Sequence, residues 1–171
     1  MRSTFSTRRS GVWRRRSCER HDYDRARAAG PAGCGAADRG ARRARALYPP
    51  ESNHLLDIAA LCDPAVSFLV VRAGEDAIGC GALLRDPHGW GEIKRMYLRP
   101  DARGRGIGKR VLAELEAMAR GAGLPLLRLE TGIHNTEALT LYRRAGFGER
   151  TAFGDYAPDP LSVFMEKRID S

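Results

Sequence analysis

Aromatic residues are sparse in this chain, its four cysteines are scattered, no long apolar run occurs, and the first 45 residues contain no Leu, Ile or Lys. Each shortage excludes something. Cys18, Cys34, Cys62 and Cys80 show neither CxxC nor Cys/His ligand spacing, which argues against a zinc site or a disulfide scaffold and fits a reducing cytoplasm. The longest apolar stretches, near Val66 to Val71, are strand-sized, so no segment is long enough to span a membrane and a soluble protein is expected. Val12 is the only aliphatic residue larger than Ala before position 46, so residues 1–45 are not expected to supply a buried strand.

Charge divides the chain at the same place. Residues 1–45 hold 13 of the 29 basic residues against four acids, whereas residues 46–171 hold 16 basic and 17 acidic residues. The basic pI therefore belongs to the tail. Low hydrophobicity with high net charge predicts a disordered Arg/Ala/Gly-rich segment over 1–45 and one folded domain over 46–171. Three other readings of the tail stay open: an organelle transit peptide, a nonspecific arm for nucleic acid or anionic membrane, and a misassigned start or reading-frame error. The arm has no interleaved aromatics and no nucleic-acid-binding motif, which counts against a nucleic-acid protein.

Past Leu47 the pattern is regular. Ser52 suits the N-cap of a short helix carrying Leu55, Ile58, Ala59 and Cys62 on one face. Val66 to Arg72, Ala77 to Leu84 and Gly91 to Leu98 read as three strands of an antiparallel meander, with turn chemistry at 73–76 and 86–89. Apolar residues at helical spacing predict a helix over Ile107 to Arg120. Pro125 to Glu130 is then a strand, parallel to Gly91–Leu98 because a helix separates them. Asn135 caps a second helix that ends near Ala145 with Gly146 at C′, and Phe147–Phe153 and Leu161–Lys167 are the last strands.

Arg103-Gly104-Arg105-Gly106-Ile107-Gly108 lies between a strand and a helix. The leading N–H groups of a helix have no intrahelical partner and sit at the positive end of its dipole, so they suit phosphate oxygens. The glycines Gly104, Gly106 and Gly108 allow close approach, and Arg103, Arg105 and Lys109 add positive charge. A Gly-rich turn with solvated arginines is the bland alternative. Neither a Walker A loop nor a dinucleotide-fold loop matches the pattern.

This loop, together with the later Asn135-x-x-Ala138-x-x-Leu141-Tyr142-x-x-x-Gly146-Phe147, resembles the GCN5-related N-acetyltransferase (GNAT) superfamily over residues 47–168. Tyr48-Pro49-Pro50-Glu51-Ser52 and Phe153-Gly154-Asp155-Tyr156, with Pro160, Ser162, Phe164 and Met165, look like a group of small bacterial acetyltransferases whose acceptors are mostly undefined. The resemblance implies an α/β (α+β) fold with a mixed, mostly antiparallel sheet, splayed between two central parallel strands and flanked by helices. Its first strand is in doubt, because the tail shows no pattern for one.

It also implies acetyl-CoA as co-substrate, no metal, and direct transfer to a primary amine of a small molecule or amino acid in the cytoplasm. No specific nucleic acid or membrane partner is implied, and dimers are common among relatives. Backbone amides from Gly104 to Lys109 would hold the pyrophosphate, Met96 and Leu98 would pair with the pantetheine arm, and Asn135 would bond its other side. Alkyl amines are mostly protonated at neutral pH, so a base is needed; Glu92 matches the family position, four residues before Met96 and expected on the same strand face. Its alternative is a carboxylate paired with Lys94, Arg95 or Arg128. Tyr142 matches the family's general acid, with a core tyrosine as the alternative, and the Met96 amide would meet the developing oxyanion. Glu51 and His54 fall where the family's first helices line the acceptor cleft, with a solvated helix face as the alternative, and Asp155 and Tyr156 fall where they would close over the acceptor, whereas His88 and His134 read as structural or exposed and Trp90 and Phe153 as core. A catalytically weak CoA-binding or regulatory module is the second functional reading. Mass spectrometry of the natural protein tests the tail: a peptide spanning residues 20–40 rules out a misassigned start.

Overall fold

A computed structural model of the chain describes residues 13–16, 63–73 and 76–169. Its sheet has seven strands: β1 (Trp13–Arg16), β2 (Val66–Ala73), β3 (Asp76–Arg85), β4 (Gly91–Leu98), β5 (Leu126–Gly132), β6 (Gly148–Arg150) and β7 (Ser162–Arg168), in the order β1-β2-β3-β4-β5-β7-β6. Helix α1 (Ile107–Gly121) connects β4 to β5, and α2 (Thr136–Arg144) connects β5 to β6. Only the β4–β5 pair is parallel, as a helical crossover between neighbouring strands requires. The mixed, splayed sheet expected from the resemblance is present.

Two expectations need correction. The tail supplies a strand after all, because Trp13–Arg16 pairs antiparallel with β2, from Trp13↔Val71 to Arg16↔Phe68. An edge strand is held by main-chain bonds on one side, so it does not demand the aliphatic run that the tail lacks. The strand foreseen over 147–153 is also shorter, since β6 covers only Gly148–Arg150. The helix foreseen after Ser52 lies outside the described residues.

Local chemistry explains the elements. Asp86 shapes the β3–β4 turn, its carboxylate accepting the His88 N–H at 2.8 Å and its carbonyl accepting the Gly89 N–H at 3.0 Å. Val111, Leu112, Leu115 and Ala119 bury one stripe of α1 against Leu69, Leu83, Ile93, Leu127, Leu129 and Met165. Each fully buried Leu contributes roughly 1.5–3 kcal/mol, so this stripe fixes the helix on the sheet far more firmly than its propensity does. Gly146, at φ 91°, closes α2 as expected, and the Phe147 N–H bonds back to the Tyr142 carbonyl at 3.0 Å. The opposite face of the sheet carries Trp90, Phe153 and Phe164, with Tyr156 packed against them. No helix among the described residues is long and apolar enough to cross a membrane.

Gly79 marks where β3 and the end of β4 come closest. A Cβ there would lie 2.4 Å from Leu98 Cδ2 and 2.7 Å from the Tyr97 carbonyl oxygen. Gly79→Ala is therefore expected to destabilise by about 1–3 kcal/mol. Gly121→Ala, where a Cβ meets nothing within 4 Å, is expected to be neutral or stabilising. Urea unfolding of the two variants checks the contrast, and equal midpoints would contradict it.

Candidate active site

The site begins with a break in the sheet. β4 and β5 pair only at Gly91↔Leu127, Glu92↔Arg128 and Ile93↔Leu129; beyond that, β4 stays with β3 and β5 stays with β7. The cause is visible in β4. Arg95 has φ 55°, the only positive φ outside glycine among the described residues, and the β3–β4 register shifts between Cys80 and Ala82. That is a bulge: one extra residue on β4, which bends the strand and increases its twist. The Cys80 thiol sits under it, donating to the Arg95 carbonyl at 3.2 Å. Past Ile93, the facing edges of β4 and β5 present main-chain groups that are not paired across the seam, and such groups demand partners.

The bulge overturns one expectation. Glu92 and Met96 do not share a face: Met96 and Leu98 pack with Ile93 against the helix-side core, whereas Glu92 bonds to Tyr156 on the other side. Four residues of regular strand would keep the two in phase; the extra residue shifts the alternation by one.

At the mouth of the seam stands the glycine loop. Gly104 and Gly106 have φ 71° and 72°, and a Cβ on either would meet nothing within 4 Å. The loop is therefore open on its outer side, and Gly106 occupies the N-cap of α1 in the left-handed conformation. The first N–H groups of α1 point out of the helix end there, as phosphate oxygens require. Gly108 serves packing instead, its Cβ position lying 3.4 Å from Leu141 Cδ2 and 3.6 Å from Leu98 Cδ1. Arg105 and Lys109 are exposed beside the loop. Arg103 is tied back: its guanidinium donates twice to the Leu98 carbonyl at 3.2 Å and pairs with Glu137 at 2.7 Å. It thus braces β4 against α2, a role its charge alone did not suggest.

Tyr142 reaches the seam from α2. Its ring is buried against Phe147, and its hydroxyl donates to Met96 Sδ at 3.6 Å. Burial, with a smaller contribution from the Glu130 charge, raises its pKa well above the ordinary value. Asn135 occupies the N-cap position of α2, but its side chain makes no capping bond and instead lies 3.5 Å from Thr131 Oγ1 at the end of β5. Its carbonyl accepts the Leu139 N–H at 3.0 Å. The side-chain amide is thereby turned from the helix toward β5.

On the far face, Glu92 is only 4% exposed. Tyr156 OH donates to its Oε1 at 2.5 Å, and Lys94 Nζ approaches the same oxygen at 2.9 Å. Lys94 also donates to the Tyr156 hydroxyl and lies 4.9 Å from its ring centroid. The pairing of Glu92 with Lys94 foreseen as its alternative role is real. Its bond to Tyr156 was missed, because 64 residues separate the two and the Phe153-Gly154-Asp155-Tyr156 match showed no contact between them. Trp90 and Phe153 are buried, as expected, with ring centroids 5.2 Å apart. His88, His134 and Asp155 are exposed, and Glu51 and His54 lie outside the described residues. Among the described residues there is no group of three or more His, Cys, Asp or Glu that could hold a metal.

Comparison with known proteins agrees with this geometry. Residues 37–147 match the model of the Acetyltransferase (GNAT) family. The IAA acetyltransferase of Azospirillum brasilense is 52% identical over 124 residues, covering 72% of this chain and 81% of the relative. YsnE, an uncharacterized N-acetyltransferase of Bacillus subtilis, is 37% identical over 125 residues, covering 72% of this chain and 83% of the relative. A crystal structure of an acyl-CoA N-acyltransferase from Klebsiella pneumoniae superposes with a TM-score of 0.62 at 48% identity, covering 66% of this chain and 79% of that one. PaiA N-acetyltransferase from Thermoplasma acidophilum, solved with coenzyme A, shares the fold at 20% identity with a TM-score of 0.67, covering 92% and 99%. A seam opened by a bulge, a left-handed glycine loop at its mouth and a relative identical at half its aligned positions lead to one conclusion: this chain belongs to the GNAT family of acetyltransferases.

Proposed function

We propose that the protein moves the acetyl group of acetyl-CoA to a primary amine of a small molecule or amino acid, by direct attack of the amine on the thioester. The observation that carries this reading is the β4–β5 seam, with the glycine loop at its mouth and the Tyr142 hydroxyl inside it. The likeness to the IAA acetyltransferase supports acetyl transfer and leaves the acceptor open.

On this reading the loop from Gly104 to Lys109, with Arg105 beside it, binds the pyrophosphate through helix-end amides. Met96 and Leu98 meet the pantetheine arm along β4, and the Asn135 amide meets it from the β5 side. Arg103 contributes by holding the Leu98 end of β4 in place. Glu92 takes one proton from the ammonium to give the neutral amine, and the second proton, lost as the amide forms, passes to the departing thiolate or to solvent. The nitrogen then bonds to the acetyl carbon, the Met96 N–H stabilises the oxygen that gains charge, and the carbon–sulfur bond breaks to release CoA.

Tyr142 suits the departing sulfur. Its hydroxyl is aimed at a thioether, which is a weak acceptor, and a thiolate arriving nearby would be a far stronger one. A phenol with a raised pKa keeps its proton throughout the neutral range, so it can serve as donor without a prior ionisation. Full transfer to a thiolate of ordinary pKa near ~8.5 would run uphill from such a phenol, so hydrogen bonding to the sulfur is the step this geometry favours.

Thiol release from acetyl-CoA across a panel of primary amines tests the reading. Tyr142→Phe is expected to lower kcat by about tenfold or more while CoA affinity stays near that of the parent; a variant as fast as the parent would remove Tyr142 from the mechanism. Gly106→Trp should abolish CoA binding in calorimetry with an unchanged far-UV spectrum, because it combines bulk with a φ of 72°. Because the shift is upward from an ordinary value of 10.0, Tyr142 should cause no alkaline fall in kcat below that pH.

A further inference from the structure

Glu92, Lys94 and Tyr156 form a cluster that the transfer scheme uses only in part. Tyr156 is held by its surroundings: its N–H bonds to the Phe153 carbonyl at 3.1 Å, and its ring lies 5.1 Å from that of Phe153 and 5.4 Å from that of Phe164. Those rings rest in turn on Trp90, over which the Arg128 guanidinium stacks at 4.7 Å. A tyrosine seated this way has little rotational freedom left, so its hydroxyl is a fixed donor. It donates to Glu92 Oε1, and the same oxygen takes Lys94, which also donates to the Tyr156 hydroxyl. Three groups close a triangle, and both bonds to the carboxylate fall on Oε1.

We propose that Tyr156 and Lys94 are positioning residues that hold the Glu92 carboxylate by Oε1, so that Oε2 is turned toward the proton of the incoming amine. This rests on the reading of Glu92 as the base. It assigns the 153–160 segment, which the sequence suggested only as an acceptor closure, a role in the proton step itself. A phenol and an ammonium donating to one oxygen fix the rotation of the carboxylate and leave its other oxygen to accept the proton. Burial and the Glu92 charge both raise the Tyr156 pKa, so its hydroxyl remains a donor across the working range.

Charged groups lie on several elements around this carboxylate. On β4 itself it pairs with Lys94. β5 places Arg128 in register opposite Glu92 and brings Glu130, whose charge reaches Tyr156. Glu166 on β7 pairs with Arg128 at 3.4 Å and with Arg150 on β6 at 2.5 Å, so those charges are largely satisfied among themselves. β3 sets the uncharged Leu84 opposite Glu92. Among the described residues, Lys94 and Tyr156 are the two groups with direct bonds to the carboxylate, and removing either leaves it freer to rotate.

The test reads the orientation of Glu92 through turnover of the full-length protein. With the fastest amine of the panel, Tyr156→Phe is expected to lower kcat about tenfold with KM within about threefold of the parent. Lys94→Met should lower kcat in the same direction, and Lys94→Arg should restore most of it. A Tyr156 that merely packs would lower the melting temperature and leave kcat at the parent's value, and that outcome overturns the proposal. The base assignment fails separately: Glu92→Gln with the parent's rate would leave Tyr156 nothing to position, whatever Tyr156→Phe shows.

Discussion

Arg95 adds one residue to β4 at positive φ, and beyond that point the strand cannot stay in register with β3 and lie against β5 as well. A non-glycine residue in the left-handed region costs on the order of 1–3 kcal/mol, and it persists only where the surroundings fix it. Here the fixing is identifiable. Ladder pairs lie on both sides of the shift, Ala82↔Lys94 before it and Cys80↔Tyr97 after it, and the Cys80 thiol bonds to the Arg95 carbonyl. What the distortion yields is an opened parallel seam in the middle of the sheet, where buried main-chain groups would otherwise be consumed by a ladder. Among the described residues the seam is the one interruption between neighbouring strands at the centre of the fold, and the proposed chemistry takes place there.

The glycine loop depends on the same bend. β4 ends at Leu98, a short 3-10 turn over Pro100–Ala102 follows, and the chain enters α1 through Gly106. Because α1 is anchored by its buried stripe, the direction in which β4 leaves the sheet sets where the helix end points. Arg103 ties these parts together by bonding the last carbonyl of β4 and Glu137 in the first turn of α2. Its exposed ion pair with Glu137 is worth little alone. The two bonds to a main-chain carbonyl are the structural content of the contact, since they satisfy a group at the open end of the seam.

Much of this was legible in the sequence, and the limits have physical causes. Alternation, short apolar runs bounded by turn residues and helical spacing located β2 to β5, α1, α2 and β7 within a residue or two, because the helices bury one stripe and the central strands are covered on both faces. The parallel pair followed from the intervening helix. Gly104, Gly106 and Gly146 have positive φ, as a glycine loop and a helix C′ position allow, whereas Gly108, the third loop glycine, does not. The bulge could not be seen, since Lys94-Arg95-Met96 contains neither glycine nor asparagine, and the error about the faces of Glu92 and Met96 followed from that. Edge pairing of β1 was missed for another reason: it is written in main-chain geometry and leaves no apolar pattern. Tyr156 carried a family-like motif, but only the folded chain brings it to Glu92.

The opposite faces taken by Glu92 and Tyr142 suit the direct transfer proposed above. Glu92 on one side of the sheet and Tyr142 on the other would be separated by a layer of hydrogen-bonded backbone in an unbroken ladder. An acyl transfer to an amine needs a proton removed from the nucleophile and a donor for the leaving group, and these two atoms approach the carbonyl carbon from different directions. A pair of groups on a single strand face would crowd both tasks onto one side. On the proposed reading, a thioester in the seam would meet Tyr142, which donates toward Met96, from the helix side and Glu92, held by Tyr156 and Lys94, from the other. The proposed duties of the two tyrosines then differ with their partners: Tyr142 faces a weak sulfur acceptor that a thiolate would outcompete, and Tyr156 is bonded to a carboxylate that it holds in place.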